Sequence, residues 1–325
     1  MDFLLLDWMG KPAWMWLAFM GVVVALLTLD LGVLHRTERE IGVRESLLLS
    51  AMYIVIALLF GGWVWRELGA DSGLEYLTGF AVEKSLAMDN VFVIALIFSA
   101  FGVPRLYQHR VLFWGVLGVI VLRALMIAGG AALVSRYEWV LYAFAAFLIF
   151  TGGKMIAARP GADADVGRGV VVWLQRRIRA TDSLHGRDFF VRQLNSRGRM
   201  VVRATPLFLT LVTIEVADVI FAVDSVPAIF AITTDTYIVY TSNIFAILGL
   251  RALYFALAAV IHRFAYLKQA LAILLVFIGG KVFAAPLLGL EKFPPAISLG
   301  VTAAILAGGI LWSVWKTRAE ARANT

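Results

Sequence analysis

Phe147-Leu-Ile-Phe-Thr-Gly-Gly-Lys-Met-Ile-Ala-Ala158 is echoed 127 residues later by Leu274-Leu-Val-Phe-Ile-Gly-Gly-Lys-Val-Phe-Ala-Ala285. Each copy lies in a run of apolar residues long enough to cross a bilayer, which takes roughly 20 residues per helix. Two more pairs accompany it in the same order. Leu122-Arg-Ala-Leu125 matches Leu250-Arg-Ala-Leu253, and Glu83-x5-Asp89-Asn90 resembles Asp218-x5-Asp224-Ser225. An acidic helix, an arginine helix and a Gly-Gly-Lys helix therefore occur twice. A single matched motif between Ala/Leu-rich helices could be chance; three in one order point to an internal repeat.

The rest of the chain fits this picture. Of 325 residues, 61% are hydrophobic and 16% charged, against about a quarter charged in soluble domains. Open sheets would leave unpaired edges in lipid, and the ten-residue alternation of a membrane barrel is not seen. The fold class is all-α, a polytopic membrane protein. Nine spans are expected, at 14–34, 46–66, 76–101, 111–133, 137–157, 206–232, 236–261, 267–289 and 296–315. Residues 76–157 form repeat A and 206–289 repeat B. An Arg-rich loop, 158–205, joins them, and 290–325 holds the last span and a tail. A repeat of three spans is odd in number, so the second copy inserts upside down. Inverted repeats typify secondary transporters, whose sites lie near the midplane between the copies.

Orientation follows from the basic loops. With the N-terminus outside, the cytoplasmic side receives Arg36, Arg39, Arg44, Arg105, Arg110, ten arginines between Arg159 and Arg203, Arg263, Lys268, Lys316, Arg318 and Arg322. The outer side receives only Lys11, Arg66, Arg136 and Lys292. The net charge of +7 is thereby explained by topology, and no nucleic-acid partner is expected. Met1–Gly10 carries Asp2 and Asp7 and no basic residue, unlike a cleavable signal peptide. Val170–Arg179 could form a basic amphipathic helix on the membrane surface or a solvated linker. The absence of cysteine excludes disulfides, thiolate ligands and a cysteine nucleophile.

Six carboxylates fall inside the spans: Asp30, Glu83, Asp89, Glu215, Asp218 and Asp224. An ionised side chain at the bilayer centre costs at least about 2.5 kcal/mol, so such residues face a cavity or a partner. Lys84, Arg123, Lys154, Arg251 and Lys281 are embedded too, and some acids must simply balance them. Lys154 can snorkel to the surface. Arg123 and Arg251 sit mid-helix and must be paired, as can Lys281. Glu215, Asp218 and Ser225 share one helical face, whereas Asp224 stands about 240° from Asp218. The same offset separates Glu83 from Asp89. One acid of each pair therefore meets an arginine, or the helix unwinds between them. Pro227 favours a break in the sixth span, because it frees the carbonyl of Val223. The donors on offer are carboxylate, amide, hydroxyl and carbonyl oxygens, suited to hard cations such as Mg, Ca or Mn.

Glu83-Lys-Ser-Leu-Ala-Met-Asp-Asn-Val-Phe92, Glu215-Val-Ala-Asp-Val-Ile-Phe-Ala-Val-Asp-Ser-Val-Pro-Ala228 and Thr241-Ser-Asn-Ile-Phe-Ala-Ile-Leu-Gly-Leu-Arg-Ala-Leu-Tyr254 resemble the TerC family of integral membrane proteins, its Alx-like branch, over nearly the whole chain. The resemblance implies manganese export across the bacterial inner membrane. It also implies that Glu83, Asp89, Asn90, Glu215, Asp218 and Asp224 line the metal path, with Asn243, Arg251 and Arg123 in support. The expectation is a secondary transporter of a divalent cation, Mn2+, with Asp89 and Asp224 as principal ligands, Glu83 and Asp218 next, and protons as the counter-ion. Asp30, Ser225 and Lys281 are further polar candidates. No organic cofactor and no enzymatic activity are expected; the oligomeric state stays open. Two other readings remain: a membrane scaffold acting through the Arg-rich loop, and oxyanion (tellurite) transport at Arg123, Arg251 and Lys281.

Overall fold

A computed structural model describes residues 2–32, 42–157, 181, 184–194, 200–258, 267–290 and 293–323. Ten α-helices stand among them: α1 Ala13–Gly32, α2 Val43–Leu68, α3 Ala70–Ala100, α4 Arg105–Arg136, α5 Trp139–Ala157, α6 Pro206–Phe230, α7 Thr236–Leu248, α8 Leu250–Ala258, α9 Leu267–Leu287 and α10 Pro295–Ala323. Seven candidate spans among the described residues are long and apolar enough to cross a membrane, one of them running from α7 into α8. The apolar part of α1, Ala13–Leu29, is shorter, and α3 carries Glu83, Lys84 and Asp89 within its length. The protein is thus a polytopic helical membrane protein.

Two small antiparallel hairpins are the only sheets among the described residues: β1 Asp7–Trp8 with β2 Lys11–Pro12, and β3 Phe190–Leu194 with β4 Met200–Ala204. The second lies at the end of the Arg-rich loop, 158–205, and joins directly onto α6. The candidate surface helix at 170–179 lies outside the described residues.

The Gly-Gly-Lys helices α5 and α9 pack directly on each other. A Cβ added at Gly152 would stand 2.6 Å from the carbonyl oxygen of Ala272 and 2.8 Å from the Val276 side chain. One added at Gly279 would stand 2.5 Å from the carbonyl oxygen of Ala145 and 2.9 Å from Ile149. These contacts map onto each other by one offset of 127 residues (145 to 272, 149 to 276, 152 to 279). Such a reciprocal pattern is what a two-fold axis between the helices produces. The lower-numbered end of one helix meets the higher-numbered end of the other, so they are antiparallel, as inverted copies must be. Glycine is required because the backbones themselves touch.

At the centre stands α7, where Tyr237–Val239 and Thr241–Leu248 are all buried. It is buried on nearly every side, as a helix enclosed by others is, and its polar Thr241, Ser242 and Asn243 are buried with it. Aromatic side chains wedge α1 against it, with Trp16 edge-on to Tyr237 at 5.0 Å between centroids. Its hydroxyl residues bond their own backbone: Thr241 donates to the Tyr237 carbonyl at 2.7 Å and Ser242 to that of Ile238 at 2.6 Å.

Two expectations need correction. First, α6 runs unbroken through Pro227 to Phe230. The proline removes a single donor close to the helix end, where the chain stops within the next turn, so no unwinding follows. Second, the break falls elsewhere. The span expected at 236–261 stays one membrane span, Thr236–Ala256 among the described residues, but Gly249 interrupts it and separates α7 from α8. There Lys84 Nζ of α3 donates to the carbonyl oxygen of Ala246 at 3.1 Å. A Cβ on Gly249 would lie 2.8 Å from that ammonium and 3.2 Å from Tyr53 Cβ. The glycine therefore opens the space through which a half-buried lysine reaches a main-chain carbonyl.

Candidate functional site

Arg123, on α4, is the largest fully buried side chain, at 2% exposure. Its guanidinium gathers three of the sequence-predicted residues. Nε and Nη2 donate to Asp218 Oδ2 and Oδ1, both at 3.1 Å. Nη1 donates to Glu83 Oε1 and, at 2.7 Å, to Ser225 Oγ. Asn90 Nδ2 completes the set with a bond to Asp218 Oδ1 at 3.3 Å. The planar fork of arginine suits a bidentate carboxylate, and a lysine could not repeat these bonds.

Symmetry gives this cluster its meaning. Glu83 and Asp218 are equivalent in the two repeats, and so are Asn90 and Ser225. The Asn90–Asp218 contact has its counterpart in Ser225 and Glu83, which meet through Arg123. One arginine from repeat A thus holds the equivalent carboxylates of both repeats. With two acids on one base, the cluster is formally anionic. Breaking a buried pair by removing one partner costs about 3–5 kcal/mol, so Arg123 fixes α3 and α6 to α4.

Glu215, Asp218 and Ser225 all turn toward α4, as their spacing predicts. The Glu215 carboxylate lies against Gly118, where any Cβ would collide with it, and 3.9 Å from where a Cβ on Gly115 would stand. Further along the same interface Gly130 admits Phe230, whose ring would lie 2.6 Å from an added Cβ. Glycines on α4 thus let α6 approach, and one of them makes the notch for Glu215. Among the described residues, both Glu215 oxygens are buried without a hydrogen-bond partner, and so are both amide atoms of Asn243 on α7. Unlike its neighbours Thr241 and Ser242, Asn243 makes no bond to its own helix. Unsatisfied buried polar groups are rare in folded proteins and commonly mark a bound water or ion.

Beside the cluster lies a cavity of about 20 Å³, lined mostly by apolar side chains, with Asn90, Asp218 and Arg251 as its polar wall. That is room for one water or one dehydrated ion. Arg251, the repeat equivalent of Arg123, is buried at its wall. Lys281 is buried too, donating to Ser298 Oγ of α10 at 2.9 Å, whereas its repeat counterpart Lys154 is exposed. Ser298 of the final helix thus partners the lysine of repeat B, whereas the lysine of repeat A is left exposed.

Asp30, Asp89 and Asp224 stand on α1, α3 and α6, with their side chains outside the described ones. Among the described residues no three His, Cys, Asp or Glu side chains gather around a common point. The described donors that fit a hard cation are oxygens: the Glu215 carboxylate and the Asn243 amide. Lys84 and Gly249 were not singled out together from sequence. The signal was present, since repeat A has Val121 where repeat B has Gly249, and repeat B has Val219 where repeat A has Lys84.

Residues 68–321 match the family described as "Integral membrane protein TerC family". An uncharacterized membrane protein of Myxococcus xanthus is 44% identical over 309 residues, covering 95% of this chain and 94% of its own. One from Rickettsia bellii is 46% identical over 299 residues, 92% and 96% of the two chains. A protein of Escherichia coli K12, provisionally named a membrane-bound redox modulator, Alx, is 44% identical over 315 residues, 94% and 95% of the two. No solved structure matches.

Proposed function

Since the chain belongs to the TerC family of integral membrane proteins, we propose that it is a secondary transporter that exports a divalent metal cation, Mn2+, from the cytoplasm. The observation that carries this reading is the convergence of repeat-equivalent polar residues on one buried place beside a cavity of single-ion size. A purely structural ion pair would need neither the cavity nor the unbonded oxygens of Glu215 and Asn243.

Charge supports a divalent substrate. Along their lengths α3 and α6 carry Glu83, Asp89, Glu215, Asp218 and Asp224. The fixed bases Lys84, Arg123 and Arg251 leave two formal negative charges. One Mn2+ or two protons would neutralise them, which is the simplest basis for exchange of one against the other. Glu83 and Asp218 are engaged by Arg123 and serve as the anchor. Asp89 and Asp224 then take the role of principal ligands, with Glu215 and the Asn243 oxygen next. Oxygen ligands and an octahedral preference favour Mn2+ over soft metals. Oxyanion transport is disfavoured because Arg123, its natural anion site, already holds two carboxylates.

The relative's printed association with redox belongs to that protein. In a chain without cysteine, an effect on redox state would run through metal supply rather than thiol chemistry. The test is metal content of bacterial cells lacking their own manganese exporters. Expression of the chain lowers cellular manganese under this reading; unchanged manganese, with the protein verified in the membrane, contradicts it.

A further inference from the structure

The β3–β4 hairpin turns its larger apolar side chains outward. Its register pairs Phe190 with Ala204, Arg192 with Val202 and Leu194 with Met200, so these residues share one face. On that face Phe190, Leu194, Met200 and Val202 are exposed by 52%, 67%, 62% and 64%. The opposite, half-buried face holds Val191 and Val201 together with Gln193 and Arg203, and Gln193 Nε2 lies 2.9 Å from His185 Nε2. A hairpin immersed in water would not leave its larger apolar side chains on the exposed face. A contiguous exposed apolar face marks an interaction surface.

The hairpin is also rigidly placed. Thr205 joins β4 to α6; its N–H donates to the Phe189 carbonyl at 2.9 Å and its hydroxyl to that of Asp188 at 2.6 Å. The Arg110 guanidinium at the start of α4 lies over the Phe189 ring, 5.1 Å from its centroid. Phe190 packs on Phe208 at 4.5 Å. Phe208 opens a stripe on α6 formed by Val212, Val216, Val219 and Val223, all within about 80° of it on a regular helix. Val219 and Val223 are exposed, so this stripe is the side α6 turns to lipid. The apolar face of the hairpin continues that lipid-facing stripe beyond the helix end. Arg192 stands in the middle of the face, where a long cationic side chain reaches phosphate while its stem stays in the apolar layer.

We infer that the β3–β4 hairpin is a membrane-interface element, seating Phe190, Leu194, Met200 and Val202 in the leaflet next to the start of α6 and binding anionic phospholipid headgroups through Arg192. It does not depend on the transport reading. The chain has no cysteine, so Leu194→Cys and Val202→Cys each create a unique thiol at an exposed position. The full-length variants are spin-labelled and placed in nanodiscs of phosphatidylcholine with a quarter phosphatidylglycerol. Collision rates with oxygen and with a water-soluble nickel chelate are then compared. The expected result is a several-fold preference for oxygen at both sites, approaching that of a Val219→Cys control. The preference falls when the anionic lipid is omitted or Arg192 is changed to Glu. Labels as open to the nickel chelate as an aqueous site overturn the inference. So do labels broadened by a second copy, and labels shielded from both reagents, as they would be beneath the chain's own residues 158–180.

Discussion

Replacing Arg123 by Met isolates what the central cluster contributes. The substitution keeps an unbranched side chain of fair length and removes a guanidinium that is 2% exposed and makes bonds to Asp218, Glu83 and Ser225. Two carboxylates then stay buried without their base. Loss of one partner from a buried pair costs about 3–5 kcal/mol, a large part of the roughly 5–15 kcal/mol that holds a typical domain together. The protonation that relieves such a site does not restore the bonds between helices. The informative comparison is with the triple substitution Arg123→Met, Glu83→Gln, Asp218→Asn, in which no charge is stranded. Reversible unfolding of purified protein in mixed micelles, followed by circular dichroism, measures each variant. The single variant should lose about 3–5 kcal/mol and the triple should recover most of it. A single variant within about 1 kcal/mol of the parent, or a triple no better than the single, would refute the assignment of Arg123 as the anchor.

Further outcomes follow from the same geometry. Gly118→Ala pushes a methyl group into the Glu215 carboxylate; it should destabilise the fold by about 1–3 kcal/mol as overpacking does, and Glu215→Ala should relieve most of that loss in a double-mutant cycle. Gly152→Ala and Gly279→Ala each drive a Cβ into a backbone carbonyl, so both should lower the unfolding midpoint by similar amounts; a large inequality would argue against a two-fold relation between α5 and α9. Asn243→Leu removes an amide buried without partners, and should stabilise the protein by about 1–3 kcal/mol while reducing manganese efflux; lost stability would mean the amide is satisfied in the folded state.

Much of the architecture is legible in the chain itself. The apolar runs give the helices, and the twofold recurrence of Gly-Gly-Lys anticipates the α5–α9 packing, because backbone contact demands glycine at both places. The sharing of a face by Glu215, Asp218 and Ser225 follows from helical spacing alone. Which acids Arg123 would take is not legible there. That depends on how far α4 and α6 approach, which small residues such as Gly115, Gly118 and Gly130 decide together. Pro227 misleads because a proline near a helix end costs only one bond. The real interruption at Gly249 is a tertiary matter, created by a lysine from another helix reaching the Ala246 carbonyl. The hairpin escapes notice because its apolar residues are scattered among the arginines of a loop that composition marks as a linker.

The transport reading predicts a flux that two aspartates control. Purified protein reconstituted into vesicles containing a manganese-sensitive dye should admit Mn2+ when an opposing proton gradient is imposed. Asp89→Asn and Asp224→Asn should each abolish the signal while unfolding like the parent. Vesicles of parent protein that admit no more Mn2+ than empty ones, or folded variants that transport as fast as the parent, would contradict the account.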